Sequence, residues 1–169
     1  MSQEKILPLD DLAQKSFLLR KEGKRIVLCH GTFDLMHTGH IRYLKSAREK
    51  GDVLFVTVTA DGFVNKGPGR PIFPQDLRAE NLSALACVDY VAINHAPTAV
   101  NVISKLKPHA YAKGNDYKNL DDDVTGNIHL EKKAVEEGGG EIIFTDEIIF
   151  SSTQLLNDHF GVFPDETKE

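Results

Sequence analysis

Short apolar, β-branched runs alternate with helix-period segments along this chain, and that alternation restricts it more than any other feature. Arg25 to His30 (RIVLCH) lies between Gly23 and Gly31; Val53 to Thr59 (VLFVTVT), Asp89 to Ile93, His109 to Ala112 and Glu141 to Phe144 follow at intervals. Continuous apolar runs of this length suit strands buried on both faces. Between them, Thr38 to Lys50 carries Ile41, Leu44 and Ala47 at three-residue steps and stops at Gly51. Gln75 to Cys87, Thr98 to Leu106 (stopped before Pro108) and Ile128 to Glu137 read as further helices, the last ending at Gly138-Gly139-Gly140. A short N-terminal helix is expected over Leu9 to Glu22 and a final one from about Ser152 to His159.

Strands and helices alternating at this spacing imply βαβ units with right-handed crossovers. The expected fold is therefore α/β, a Rossmann-like parallel sheet with helices on both faces in a single domain. At 169 residues the chain has length for one such domain. Its expected divisions are a helical extension at 1–24, the domain proper at 25–160 and a flexible tail at 161–169. In such sheets ligands bind beyond the carboxyl ends of the strands, so chemistry belongs in those loops.

Composition excludes several classes. A net charge of −5 argues against a surface that coats nucleic acid, so a polyanionic ligand must be gripped locally. No window approaches the roughly 20 apolar residues of a membrane span and no signal peptide is visible, so a cytoplasmic location is expected. Cys29 and Cys87 lack CxxC or metal-ligand spacing and read as buried free thiols. The chain has no G-x-x-x-x-G-K-[ST] loop, and GPGR at Gly67 to Arg70 is unlike a dinucleotide fingerprint, which counts against kinases and dehydrogenases. Asp121-Asp122-Asp123 reads as a solvated acidic loop.

The segment after the first run reads GTFDLMHTGH, Gly31 to His40. Gly31 permits a sharp turn, His37 and His40 can present both imidazoles on one side of a helix start, and Gly39 keeps the space between them clear. The amides of that helix N-terminus face the same space, a ready phosphate site. Donors so placed stabilise negative charge building on phosphorus. Two other readings stand beside this one: histidines that merely cap the helix, and a metal pair completed by Asp34.

Through this loop the chain resembles the nucleotidyltransferase superfamily marked by His-x-Gly-His, in its cytidylyltransferase-like branch. Leu35 is not the proline usual in pyridine-nucleotide adenylyltransferases, and no KMSKS-like segment points to aminoacyl-tRNA synthetases. The likeness continues through VTADGFVNKGPGRP (58–71), the helix with Arg78, AKGNDY (112–117) and FSSTQLLN (150–157), a combination most similar to the nucleotidyl-transfer domain of bacterial ADP-heptose synthases. Two departures are Asn115 where a second glycine is commoner, and the absence before Ser151 of the arginine found in glycerol-phosphate enzymes.

The resemblance implies transfer of a nucleoside monophosphate from ATP or CTP to a sugar phosphate, giving an NDP-sugar and pyrophosphate. His37 and His40 would stabilise the α-phosphoryl transition state, and Gly31, Thr32, Phe33 and Gly39 would shape the binding loop. Asp34 would orient a histidine, meet the magnesium-bound nucleotide, or simply make the turn. Lys66, in a glycine- and proline-rich loop, would swing onto the phosphates or remain a solvated lysine. Arg78 would supply a bidentate phosphate grip. Gly114 would admit the nucleoside, Asp116 would meet ribose hydroxyls, and Lys113 would touch phosphate. Ser151, Ser152 and Thr153 would cap the last helix or add a second anion site. Mg²⁺ would arrive with the triphosphate. A separate sugar kinase upstream and a homodimer, paired through VDYVAINHAPT, complete the expectation. The alternatives are CTP with a polyol or amino-alcohol phosphate, and a non-catalytic nucleotide-binding subunit.

Overall fold

The computed structural model describes residues 3–114 and 127–145. The elements in chain order are α1 (Leu9–Lys21), β1 (Ile26–Gly31), α2 (Thr38–Arg48), β2 (Val53–Thr59), α3 (Gln75–Ser83), β3 (Tyr90–Asn94), α4 (Val100–Leu106), β4 (Ala110–Gly114), α5 (Asn127–Glu137) and β5 (Glu141–Thr145). The five strands form one sheet in the order β3-β2-β1-β4-β5, and every pairing is parallel.

The apolar runs are buried on both faces, as their composition requires. Val27, Cys29, Leu54 and Val56 pack towards Leu44 and Ala47 of α2 and Ala79 and Leu82 of α3. Their neighbours Ile26, Leu28, Phe55 and Tyr111 pack towards Leu12 of α1, Val102 and Ile103 of α4, and Ala134 and Val135 of α5. The period of two along each strand thus assigns alternate side chains to two helical layers. β1 is central, and the chain reverses its direction of travel across the sheet between β1 and β4. The carboxyl ends of those strands form the switch point at which doubly wound sheets bind ligands.

Element bounds shift by one to four residues from the sequence expectation, and at two of them a side chain captures main-chain carbonyls. α3 ends at Ser83 and not Cys87, because Lys5 Nζ donates to the carbonyls of Leu85 (3.1 Å) and Val88 (2.7 Å) and holds that stretch as a turn. α4 starts at Val100 and not Thr98, since Asn94 Nδ2 binds the carbonyls of Ala96 and Thr98. Cys87 is only partly buried; Cys29 is fully buried, and burial pushes its thiol up to about 12. At Gly140 an added Cβ would lie 2.2 Å from the carbonyl oxygen of Pro108, so this close approach of the chain leading into β5 admits only glycine.

The N-terminal helix is part of the core. Leu12 is fully buried, and Ser16 Oγ donates to the carbonyl of Leu106 at 2.5 Å. Ahead of it, Ile6 bridges to Val91 and Leu7 N donates to Val91 O (2.9 Å), so the chain's own N-terminal segment lies along the free edge of β3. Part of the β3 edge, at Val91, is therefore met by the chain's own N-terminal segment. Among the described residues no helix is long and apolar enough to cross a membrane. The expected last helix, the 161–169 tail, Asn115, Asp116, Asp121 to Asp123 and Ser151 to Thr153 lie outside the described residues.

If α1 is integral to the core, Leu12→Ala should cost about 2–5 kcal/mol, the range for truncating a buried leucine. Urea unfolding measures this; a loss below about 0.5 kcal/mol would mean that the helix is an appendage.

Candidate active site

Gly31 ends β1, and the chain then turns at the switch point. Phe33 holds φ of 49°, a left-handed conformation rare outside glycine, and its buried ring covers Gly31, where a Cβ would stand 3.2 Å from Cε2. The same ring lies edge-on to His40, with centroids 5.6 Å apart.

His37 is the N-cap of α2, with extended backbone, and its Nδ1 accepts the amide of Gly39 at 3.1 Å. His40, three residues on, accepts the amide of His37 at its own Nδ1 at 3.4 Å. The two imidazoles thus form a reciprocal capping box in place of the usual hydroxyl and carboxylate. Their ring centroids are 4.0 Å apart. Because each Nδ1 is an acceptor, the neutral tautomer of each ring carries its proton on Nε2. Burial, then His37 and then Lys66, lower the His40 pKa to about 4, so this ring is uncharged at neutral pH. The result is a pair of oriented N–H donors beside the amides of a helix N-terminus. The capping reading and the phosphate reading of these histidines are compatible, since capping is what fixes the donors.

Asp34 is buried and its carboxylate is fully used by another loop. Oδ2 accepts from Arg70 Nε at 2.6 Å, and Oδ1 accepts the amides of Ile72 (2.8 Å) and Phe73 (3.1 Å). It therefore fastens the 70–73 segment over the β1 loop, and the metal pair with His37 and His40 is not assembled. Lys66 lies in the same glycine-rich loop, where Gly67 (φ 84°) and Gly69 (φ 77°) take conformations open to glycine. Its side chain is exposed at the loop surface, yet desolvation first and Arg70 second lower its pKa, opposed by Asp34. Its positive charge acts in the same direction as burial on His40, lowering that pKa.

Arg78 departs from expectation. The sequence places it on a helix as a phosphate grip, whereas the structure buries it completely. Nε donates to Phe73 O (2.9 Å), Nη1 to Thr32 O (2.5 Å), and Nη2 to Thr59 O (2.8 Å) and Asp61 Oδ1 (2.6 Å). Four of its five N–H donors meet acceptors on three chain segments, so the buried guanidinium ties those loops together. Lys113 is likewise engaged, paired with Glu131 Oε2 of α5 at 2.8 Å. It sits beside Gly114 at the end of β4, across the switch point from Gly31.

A model of the cytidylyltransferase-like family matches residues 28–156, a span that takes in the histidine loop, Arg78 and the end of β4. The chain belongs to the cytidylyltransferase-like family. Among relatives, it is 41% identical over 143 residues to the bifunctional protein HldE of Pelobacter propionicus, covering 83% of this chain and 28% of that protein. It is 39% identical over 159 residues to HldE of Desulfatibacillum aliphaticivorans, covering 92% of this chain and 31% of the relative. The chain thus spans less than a third of the length of those relatives. A lipopolysaccharide core biosynthesis protein from Thermoplasma volcanium superposes with a TM-score of 0.61 at 26% identity, over 75% of this chain and 99% of that one. A pantoate–β-alanine ligase from Francisella tularensis reaches 0.58 at 16% identity, over 89% and 74% of the two chains, a likeness of fold alone.

In this cytidylyltransferase-like domain, sequence reasoning missed His30, Glu131 and Asp61. His30 is held between Thr57 Oγ1 (2.9 Å) and Thr59 Oγ1 (3.3 Å), and burial lowers its pKa to about 4. Glu131 is buried, binding the Tyr111 hydroxyl at 3.0 Å as well as Lys113. A histidine inside an apolar run, and a glutamate facing inwards at a helical position, were the available signals.

NMR titration of His40 in the ligand-free protein should give a midpoint near 4. Adding Mg²⁺-ATP should raise it, because nearby phosphate favours the charged ring. A ligand-free midpoint at the ordinary 6.5 would contradict the buried, neutral donor.

Proposed function

We propose that this chain transfers a nucleoside monophosphate from ATP or CTP to a sugar phosphate, forming an NDP-sugar and releasing pyrophosphate. The observation that carries the reading is the histidine pair: two Nδ1-anchored imidazoles at the N-terminus of α2, at the switch point of a doubly wound sheet. Family membership and the HldE relatives support it.

The acceptor phosphate, with a second pKa near 6, is largely dianionic at neutral pH and is its own nucleophile. Its oxygen bonds to the α-phosphorus as the bond to the β-phosphate bridging oxygen breaks, and pyrophosphate leaves with those electrons. No proton need be removed, so no general base is called for. The Nε2–H groups of His37 and His40 and the α2 amides stabilise the charge that gathers on the α-phosphoryl oxygens. Lys66 offsets the repulsion between two anionic substrates. Gly114 and Lys113 border the nucleotide side of the crevice, and Asp116, Ser151, Ser152 and Thr153 would complete it.

Mg²⁺ belongs to this reading as the companion of the triphosphate, where it shields charge and aids pyrophosphate departure. Both Asp34 oxygens are occupied by Arg70 and main-chain amides, so phosphate oxygens and water would hold the ion, not this carboxylate. Because the acceptor must already bear a phosphate, a sugar kinase is the reaction class that supplies it. Such chemistry suits the cytoplasm, where the nucleotides are.

Pyrophosphate release is to be measured with Mg²⁺ and ATP, CTP, GTP or UTP against sugar 1-phosphates and polyol phosphates. One nucleotide with a sugar phosphate should give turnover, and His37→Ala and His40→Ala should lower it by roughly 10²-fold or more, the scale of losing one donor to a transition-state oxyanion. Turnover unaffected by both substitutions would remove the histidines from catalysis.

A further inference from the structure

The sheet forks at the switch point. β1 and β4 pair from Val27 with Ala110 to Cys29 with Ala112, and each strand then runs two residues further against its outer neighbour: His30 and Gly31 beside Thr57 and Val58 of β2, Lys113 and Gly114 beside Phe144 and Thr145 of β5. At the rise of a strand, the two arms bound a cleft about 7 Å deep. One hydroxyl spans the last shared register. Tyr43 Oη, from α2, donates to the carbonyl of Ala112 at 2.7 Å. A side-chain hydrogen bond also joins Tyr43 to the Cys29 thiol. A phenol has one proton to give and the carbonyl takes it, so the thiol is the donor in the second bond. Tyr43 follows His40 by three residues, on the same side of α2. A single side chain therefore connects the helix that carries the histidines to both strands at the root of the fork.

We infer that Tyr43 is a positioning residue for the nucleotide: its hydroxyl sets the distance between the phosphate site at the start of α2 and the nucleoside site at the end of β4. The inference rests on the placement of the nucleotide in the transferase reading and adds the residue that keeps its two halves in register. On the opposite face of the sheet, Glu131 of α5 holds the same strand end through the Tyr111 hydroxyl (3.0 Å) and Lys113 (2.8 Å). Of these two braces on β4, that of Tyr43 reaches the histidine helix. A nucleoside triphosphate must meet both sites at once, whereas a tripolyphosphate or a nucleoside meets one. Losing the tie leaves the donors of each site intact and loosens their spacing, which penalises the ligand that spans them and spares its halves.

The test is an NMR titration of wild type, Tyr43→Phe and Ala47→Gly with Mg²⁺-ATP, Mg²⁺-CTP, Mg²⁺-tripolyphosphate, adenosine and cytidine. Phenylalanine keeps the ring against the core and removes only the hydroxyl, so the variant keeps the fold. Ala47→Gly loosens the same helix one turn further on and leaves the fork untouched. The nucleotide that wild type binds should bind Tyr43→Phe about tenfold more weakly, the scale of one hydrogen bond, while tripolyphosphate and the nucleoside keep their wild-type affinities. Ala47→Gly should match wild type throughout. Unchanged nucleotide affinity in Tyr43→Phe, a parallel loss for the halves, failure of either half to bind wild type, or the same loss in Ala47→Gly would overturn the positioning role. Pyrophosphate release by wild type separates this inference from the reading beneath it. Release together with any of those results overturns the positioning role alone. The expected binding pattern with no release for any acceptor overturns the transfer chemistry and leaves the tie in place, and absence of binding by ATP and CTP alike overturns both.

Discussion

The guanidinium of Arg78 is wholly enclosed by protein, a position that a charge tolerates only when its N–H groups meet acceptors and a counter-ion is at hand. It finds the carbonyls of Thr32, Thr59 and Phe73 and the carboxylate of Asp61. A second pair, Asp34 with Arg70, is buried at both ends and repeats the arrangement from the other side: the acid comes from the β1 loop and its partners from residues 70–73. These two pairs tie the segments around β1, β2 and the start of α3 into one unit. Removing either partner of the Asp34–Arg70 pair, or Asp61 from beside the buried Arg78, strands a buried charge, so the loops have little freedom to reorganise.

That rigidity serves the chemistry proposed for the site. Phosphoryl transfer asks a protein mainly for positioning and for donors aimed at developing charge. The donors here are imidazoles whose orientation is set by capping α2, so they are in place before substrate arrives. The cations fall into two groups. Arg70 and Arg78 are buried and hold loops, while Lys66 is exposed beside the left-handed Gly67 and Gly69.

Much of this is legible in the sequence. Short apolar runs locate the five strands of the described residues, and GTFDLMHTGH locates the histidine loop, because period and turn chemistry are local properties. What escapes is set by distant partners. Lys5 shortens α3 from some eighty residues away, and Asn94 delays α4 through carbonyls it meets only when folded. A lone arginine on a helix reads as exposed or ligand-bound; the burial of Arg78 depends on three carbonyls from three segments that no spacing rule brings together. Asp61 lies within the VTADGFVNKGPGRP stretch, but only its contrast with Asp34 in exposure distinguishes it.

The most direct test is amide hydrogen exchange on wild type and Arg78→Lys, together with Mg²⁺-ATP affinity. Lysine keeps the charge but cannot reach four acceptors in a planar fork. A positioning role predicts faster exchange confined to residues 31–37 and 59–73, an intact sheet, and weaker nucleotide binding as a consequence. Unchanged protection in those loops with nucleotide affinity alone lost would mean that the arginine meets phosphate directly, and would contradict the positioning role.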